Sequence, residues 1–180
     1  MTIDAGTGDG RAVLAAAARE PATLVLGLDA NAASMAEASR RAARPARKGG
    51  LLNAAFVVAA AEAPPAELAG AAGLVSVRFP WGSLLRGVVG RDGAVAAGLS
   101  GLVAAQGTLE LLLAPIERDG LDGIPTTSEG MAAGAAAAFG PHCFEVDLVC
   151  EPAPSEIRAI GSTWARRLDR PATLIRLVRR

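Results

Sequence analysis

The sequence predicts an α/β fold, in which a mainly parallel sheet of seven strands carries helices on both faces. Behind this prediction lies a hydrophobic pattern that switches repeatedly between short apolar runs and stretches of helical period. A glycine-rich turn, Asp4 to Gly10, follows the first apolar run directly. The carboxylate of Asp29 comes about 20 residues further on, as the ribose-binding acid does in doubly wound nucleotide domains. The three observations predict a ligand at the carboxyl ends of the strands.

The elements follow one another as strand and helix along the whole chain. Strands are expected at residues 2–4, 23–29, 54–58, 73–79, 107–113, 143–150 and 172–178. Helices are expected at 10–19, 31–44, 93–104 and 126–138, with shorter turns at 83–88 and 154–167. We interpret the Gly- and Pro-rich breaks as loops, at Gly49-Gly50, Pro64-Pro65, Gly120 to Pro125 and Pro152 to Pro154. The 180 residues are therefore expected to form a single domain, residues 1–180.

The composition argues against a membrane or secreted protein. The chain is 51% hydrophobic, but alanine dominates that fraction and aromatic residues make up 3%. No apolar run approaches the roughly 20 residues of a membrane span, and no signal peptide precedes the glycine turn, so a cytoplasmic protein is expected. Cys143 and Cys150 lack ligand-like spacing, so we expect free buried thiols and no metal site. The single His142 is expected to be structural rather than catalytic.

The stretch Asp4-Ala5-Gly6-Thr7-Gly8-Asp9-Gly10 predicts a loop that cradles a nucleoside cofactor. Three alternating glycines let the backbone turn tightly and approach a ligand without interference from Cβ atoms. The spacing differs from the dinucleotide fingerprint G-x-G-x-x-G, and the Lys-Ser/Thr of a phosphate loop is missing. It resembles D-x-G-x-G-x-G, the first motif of class I methyltransferases, which holds S-adenosylmethionine. The alternative is an ordinary turn in a chain with 21 glycines.

Two further acids follow predicted strands. Asp29 ends the run Thr23 to Asp29 and would accept hydrogen bonds from both ribose hydroxyls of the cofactor. Its alternative role is the N-cap of the helix that follows. Ala61 and Glu62 come after the third predicted strand, where related folds contact the edge of the adenine.

Charge is segregated along a chain whose net charge is zero. Five basic residues and no acid lie between Arg40 and Lys48, and six arginines against Asp169 alone lie between Trp164 and Arg180. The segment from Glu110 to Glu156 instead carries nine acids and one arginine. Such a distribution predicts one basic face suited to a nucleic acid. The alternative is a set of solvated helix faces.

The only two tryptophans, Trp81 and Trp164, are both expected in loops on the ligand side of the sheet. Two facing indoles would form a clamp for one extruded base. The alternative is that each tryptophan anchors its loop to the core.

Two strings around these tryptophans resemble the aminoglycoside-resistance 16S rRNA adenine-N1 methyltransferases of the kanamycin-apramycin resistance (Kam) family. They are Phe79-Pro80-Trp81-Gly82-Ser83-Leu84-Leu85-Arg86-Gly87 and Thr163-Trp164-Ala165-Arg166-Arg167-Leu168. The resemblance implies a Rossmann-like class I methyltransferase whose last strand is antiparallel. It also implies S-adenosylmethionine as cofactor, and methylation at N1 of a decoding-site adenine in 16S rRNA within the 30S subunit.

The site residues are assigned by their positions in these motifs. The resemblance implies cofactor contacts for Asp4, Gly6, Gly8, Asp29, Ala61 and Glu62. It implies that Trp81 and Trp164 sandwich the adenine and that Ser83 lines the pocket. The rRNA contacts are expected at Arg44, Arg47, Lys48, Arg166 and Arg167. No catalytic base is needed, since adenine N1 has an in-plane lone pair and no proton to remove.

One departure from the family concerns the start of the chain. Family members carry an extension before the glycine loop, whereas only Met1, Thr2 and Ile3 precede Asp4 here. The first strand is therefore expected to be nearly missing, on an N-terminally short fold. Two alternatives remain open: a methyltransferase of another RNA or a small molecule, and a noncatalytic RNA-binding module of the same fold.

Overall fold

The computed structural model describes residues 1–115 and 123–180, which form seven strands and seven α-helices. The strands are β1 (Thr2–Ala5), β2 (Val25–Asp29), β3 (Ala54–Val58), β4 (Ala72–Arg78), β5 (Val103–Leu113), β6 (Phe144–Cys150) and β7 (Thr173–Arg179). The helices are α1 (Arg11–Arg19), α2 (Ala32–Ala42), α3 (Gly82–Val88), α4 (Gly93–Leu102), α5 (Ser128–Phe139), α6 (Pro154–Ala159) and α7 (Thr163–Arg167). Every predicted strand and helix is confirmed. The loop predicted at Gly120 to Pro125 lies largely outside the described residues.

The strands form one sheet in the order β3-β2-β1-β4-β5-β7-β6. All neighbours are parallel except β7, which is antiparallel to both β5 and β6. The antiparallel last strand implied by the resemblance is thus confirmed. Because β1 lies in the middle of the parallel strands, its carboxyl end is the centre of the edge where ligands bind in such sheets.

The expectation that the first strand is nearly missing is wrong. All four residues of β1 pair with β2 on one side and with β4 on the other. Pairing on both sides compensates for the short length, because each backbone N–H and C=O of the strand finds a ladder partner. The Gly73 N–H even donates to the carbonyl of Met1 at 3.1 Å.

The largest difference from the predicted boundaries lies at the start of β5. The helix predicted at 93–104 ends at Leu102, and β5 begins at Val103, which pairs with Ala72 of β4. The register then shifts, with Gln106 at a φ of 61°, before regular pairing resumes at Thr108. Alanines 104 and 105 favour a helix by propensity, but the pairs on either side of them, Val103 with Ala72 and Thr108 with Leu74, override that local preference.

Helices cover both faces of the sheet. On one face α3, α4 and α5 enclose a core with alternate strand residues, among them Leu26, Leu28, Leu109 and Leu111. On the other face α1 and α2 pack near Val25 and Phe56. Further along that second face, α6 and α7 cover Leu112 and Phe79 through Ile157 and Ala165.

A row of polar side chains crosses the second face. In the strand register Asp4 is opposite Ser76, Ser76 is opposite Glu110, and Glu110 is opposite Arg176. Residues paired in this way share a face of the sheet, so the row spans β1, β4, β5 and β7. Arg176 pairs with Glu110 at 2.9 Å. The row ends at Asp4, directly beneath the glycine loop.

The thiols are less buried than expected. Cys143 is exposed and Cys150 is half-buried, and both are free. The expectation of buried thiols is wrong because Cys143 precedes and Cys150 ends β6, an edge strand with several exposed residues. His142 is half-buried in the 3-10 turn before β6. Within residues 1–115 and 123–180, no helix is long and apolar enough to cross a membrane.

Candidate active site

A cavity of about 560 Å³ opens at the carboxyl ends of β1, β2, β3 and β4. All nine residues predicted for cofactor or base line it: Asp4, Gly6, Gly8, Asp29, Ala61, Glu62, Trp81, Ser83 and Trp164. They come from five separate stretches of the chain, which the sheet order brings together. Other residues that line the cavity had no predicted role, including Thr7, Ser34, Arg78, Ser162 and Thr163.

The glycine loop forms the turn that its sequence predicts. Gly6, Gly8 and Gly10 have φ values of 72°, 59° and 69°, a region that other residues rarely adopt. A Cβ atom on Gly10 would lie 2.6 Å from the ring of Phe56, so that glycine serves packing. A Cβ atom on Gly8 would meet nothing within 4 Å, which leaves its backbone open to the cavity that it lines.

Asp29 is held by the loop rather than by the helix that follows it. Its Oδ2 accepts a hydrogen bond from the Gly8 N–H at 2.8 Å, and its Oδ1 accepts one from the Asn31 N–H at 2.8 Å. The N-cap of α2 is Asn31, whose side chain accepts from the N–H groups of Ala33 and Ser34. The alternative role of Asp29 as a helix cap is therefore excluded.

Asp4 is buried at the floor of the cavity, with 3% of the residue exposed. Its Oδ2 accepts the hydroxyl of Thr7 at 2.8 Å. Its Oδ1 accepts the hydroxyl of Ser76 at 3.0 Å and an N–H of Arg78 at 2.8 Å. The charge of the carboxylate is thus paired with a guanidinium, as a buried carboxylate requires.

The two tryptophans lie next to each other at the mouth of the cavity. Their ring centroids are 5.9 Å apart and their planes are tilted by 39°. Trp81 is 43% exposed and Trp164 is 49% exposed, so neither ring anchors its loop in the core. A base stacked between them needs about 7 Å, two van der Waals layers, so the rings must part by roughly 1 Å to admit one.

Each tryptophan lies close in the chain to a residue that connects its segment to the rest of the fold. Phe79 adopts a φ of 50°, which is uncommon for a non-glycine residue, while its N–H donates to the Leu112 carbonyl at 2.8 Å. Its buried ring shares a cluster with Ala165 of α7. Thr163, also on α7, donates its hydroxyl to Asp9 Oδ2 of the glycine loop at 2.6 Å. The loop, Trp81 and Trp164 are therefore joined in one connected unit.

The two basic clusters approach each other beside this cavity. Arg44, Arg47 and Lys48 are exposed after α2, and Arg166 and Arg167 are exposed on α7. A groove of about 570 Å³ is lined by Arg41 and Gly49 near the first cluster and by Gly161 and Arg166 near the second. Segments more than a hundred residues apart in the sequence thus meet at one groove, to which they contribute Arg41 and Arg166.

The C-terminal arginines do not extend this surface. Arg176 and Arg180 pair with Glu110 and Glu145, and Arg179 donates to the Ser100 carbonyl at 3.1 Å and to the Val103 carbonyl. Because β7 is antiparallel, its last residues lie at the amino-terminal edge of the parallel strands, away from the cavity. The basic stretch from Trp164 to Arg180 therefore divides into a part near the site and a structural part.

The parallel sheet with its antiparallel last strand, the glycine loop and the carboxylate after β2 define a class I methyltransferase. The family model described as NpmA: 16S rRNA (adenine(1408)-N(1))-methyltransferase matches residues 1–177. The chain belongs to this family.

Relatives of known structure or activity share nearly the whole fold. A 16S rRNA (adenine(1408)-N(1))-methyltransferase from Escherichia coli is 31% identical over 176 residues, covering 92% of this chain and 79% of that protein. A tryptophan-to-alanine mutant of such an enzyme from Catenulisporales acidiphilia, crystallised with the cosubstrate SAM, has a TM-score of 0.88 at 31% identity, covering 99% of this chain and 84% of that one. The aminoglycoside resistance methyltransferase NpmB1 has a TM-score of 0.83 at 37% identity, and the match covers 99% of this chain and 86% of that one. These matches favour rRNA methylation over the alternatives of a small-molecule enzyme and a noncatalytic module.

Proposed function

We propose that this chain transfers the methyl group of S-adenosylmethionine to N1 of adenine 1408 in 16S rRNA, acting on the 30S subunit in the cytoplasm. The observation that carries the proposal is the placement of Trp81 and Trp164 side by side at the mouth of the cavity whose floor is the glycine loop. A stacked base and a nucleoside cofactor would meet there. Because β1 and β7 belong to one sheet, we infer that residues 1–180 act as one domain.

The cavity suits the cofactor in both shape and chemistry. Asp29, fixed by two backbone N–H groups, presents a carboxylate that can accept the ribose hydroxyls. Ala61 and Glu62 follow β3 at the side where the adenine would lie. Gly8 leaves open space on its cavity side for the methionyl group, whereas the Cβ position of Gly6 is filled by Leu84, and Asp4 lies beneath both glycines. S-adenosylmethionine, when bound, supplies an electrophilic methyl group on sulfur.

The residues of this chain act on the adenine by orientation. Trp81 and Trp164 would hold the base by its two faces, which fixes the plane of the ring and aims the N1 lone pair. Ser83, an exposed residue in the first turn of α3, lines the cavity next to Trp81. No side chain needs to remove a proton, because N1 carries none in the neutral base. Closure of the tryptophans over the base would also exclude water.

The basic surface supports an rRNA substrate in its folded form. Arg44, Arg47 and Lys48 on one side and Arg166 and Arg167 on the other would contact phosphates at separate points. Two contact points on a rigid protein select an RNA of matching shape. For this reason we infer that the intact 30S subunit is the substrate and that free 16S rRNA is a poor one.

The experiment is methylation of purified 30S subunits and of deproteinised 16S rRNA, followed by primer extension. A methyl group on N1 blocks Watson-Crick pairing, so reverse transcriptase should stop at adenine 1408 only in 30S subunits treated with enzyme and S-adenosylmethionine. The W81A/W164A double variant serves as the control and should give no stop. Absence of a stop with the wild-type chain, while it binds the cofactor, would contradict the proposed substrate.

A further inference from the structure

Arg78 is a charged residue that the family motifs did not lead us to expect in the site. It ends β4, lines the cavity, and pairs with Asp4 through an NH1 to Oδ1 distance of 2.8 Å. Its side chain is 23% exposed, so it is largely withdrawn from water. Asp4 lies on β1, the strand next to β4, and both residues meet at the carboxyl edge of the sheet.

The pair has unused hydrogen-bonding capacity on its cationic side. A guanidinium has five N–H donors in a planar fork. In residues 1–115 and 123–180, the only hydrogen-bond partner of Arg78 is Asp4, reached through one of those donors. The Oδ1 atom of Asp4 already accepts Ser76 and Arg78, whereas Oδ2 accepts Thr7 alone. Arg78 can therefore still bind an anion, and Oδ2 can still accept one donor.

The position of Arg78 relative to Asp29 matches the two ends of the cofactor. Asp29 is on β2 and Arg78 is on β4, one on each side of β1. Two strand spacings amount to about 10 Å, comparable to the span from the ribose hydroxyls to the carboxylate of an extended S-adenosylmethionine. With the ribose at Asp29 and the adenine toward β3, the methionyl group must extend across the glycine loop toward β4.

We infer that Arg78 binds the α-carboxylate of the cofactor's methionyl group, an inference that rests on the proposed function. The Asp4–Arg78 pair is itself a fixed pair of opposite charges, and the methionyl group of the cofactor is a zwitterion. Arg78 offers a bidentate fork to the carboxylate, and Asp4 Oδ2 accepts from the ammonium group. Arg78 is a cofactor-binding residue that selects ligands carrying this carboxylate.

The test compares two ligands that differ only in that group. S-adenosylhomocysteine carries the α-carboxylate, whereas S-adenosyl-3-thiopropylamine lacks it and keeps the ammonium, the sulfur and the nucleoside. In isothermal titration, the wild-type chain should bind the first about ten- to a hundredfold more tightly than the second. R78M should reduce this ratio to within about threefold, mainly by weakening S-adenosylhomocysteine.

The ratio of the two affinities separates binding from a structural role. If R78M weakened both ligands equally, the role of Arg78 would be to neutralise Asp4, and the inference would be overturned. The double variant D4N/R78M removes both charges, so it leaves no unpaired buried carboxylate and guards against misfolding of the single variant. In D4N/R78M the ratio of the two ligand affinities should also be within about threefold. If R78M or D4N/R78M kept the ratio of the wild-type chain, the inference would be overturned.

R176M is the matched control, since it removes a guanidinium that pairs with a carboxylate in the same polar row, outside the cavity. It should keep the wild-type ratio, and a ratio lowered as far as in R78M would also overturn the inference.

Failure of the wild-type chain to bind either ligand would overturn the proposed function together with this inference. Tight binding of both ligands with equal affinity by the wild type would overturn the inference alone.

Discussion

The Asp29 side chain is already oriented by the protein that surrounds it. Both of its oxygens accept a backbone N–H, from Gly8 and Asn31, which sets the direction of the remaining acceptor positions. Binding of ribose hydroxyls then requires little further ordering of the side chain, which favours affinity. The same hydrogen bonds make Asp29 part of the glycine loop as well as of the ligand site.

We expect D29A to weaken binding of S-adenosylhomocysteine by about 1–3 kcal/mol, the usual scale for loss of charge-assisted hydrogen bonds. Isothermal titration measures the loss, and circular dichroism checks that the variant is folded. D92A is the matched control: Asp92 caps α4 through the Ala94 N–H at 3.0 Å, outside the cavity. It should cost about 1 kcal/mol of stability and leave affinity unchanged. Unchanged affinity in folded D29A would remove Asp29 from the site.

W81A and W164A should each reduce methyl transfer to 30S subunits sharply while affecting S-adenosylhomocysteine affinity much less. The physical reason is that stacking of a base on an aromatic ring contributes about 1–3 kcal/mol per contact. W81F and W164F should restore part of the activity because they keep a ring. Initial rates and cofactor titrations measure the two effects separately. A joint loss of thermal stability and cofactor binding in both alanine variants would favour the role of core anchors.

Helix α7 connects the substrate end of the site with the cofactor end. It carries Trp164, and its Thr163 hydroxyl reaches Asp9 in the glycine loop at 2.6 Å. Five residues make a short helix, so contacts at its ends determine where it lies. Ser162 caps it by accepting the Ala165 N–H at 3.0 Å.

T163V should lower kcat/KM for 30S subunits about fivefold, which corresponds to loss of one hydrogen bond of about 1 kcal/mol. Valine keeps the shape of threonine, so the variant tests the hydroxyl alone. Affinity for S-adenosylhomocysteine should change less than twofold. The matched control is T127A, which removes the N-cap of α5 and should lower stability without changing kcat/KM. Equal kcat/KM in T163V and wild type would show that the Asp9 contact does not position Trp164.

The order of the elements could be predicted from the sequence because strands and helices differ in hydrophobic period. The place of Asp29 in the cavity could be predicted because its spacing from the glycine loop is characteristic. The early start of β5 could not be predicted, since Ala104 and Ala105 are strong helix formers and the strand is fixed by pairs on either side of them, Val103 with Ala72 and Thr108 with Leu74. Arg78 was missed for a similar reason. Its partner Asp4 is 74 residues away, and a charge at the end of a buried strand was the only signal.

At the scale of the whole molecule, Arg11, Arg41 and Arg166 line the groove beside α7, while Arg176 and Arg180 near the end of the chain pair with acids of neighbouring strands. A net charge of zero is therefore compatible with RNA binding, because what matters is the local field. The acids of the central segment balance the total charge. Within residues 1–115 and 123–180, none of them lines that groove, where the acidic residues are Asp9 and Glu37.

Single charge reversals at Arg44, Arg47, Lys48, Arg166 or Arg167 should each weaken binding to 30S subunits. Each should also reduce by about one the slope of log affinity against log salt, because one phosphate contact is lost. R180E is the control, since Arg180 is exposed and pairs with Glu145 at the opposite edge of the sheet. Filter binding at several salt concentrations gives the slopes. Equal slopes for the wild type and all five variants would place the RNA elsewhere.

The contact between the two indoles also makes the protein its own optical probe. The chain has two tryptophans and no tyrosine, so nearly all of its ultraviolet emission comes from the rings at the mouth of the cavity. Entry of a purine between them changes the surroundings of every strong emitter at once. The arrival and departure of the target base can therefore be timed in a rapid-mixing instrument with unlabelled protein, without a background from the rest of the fold.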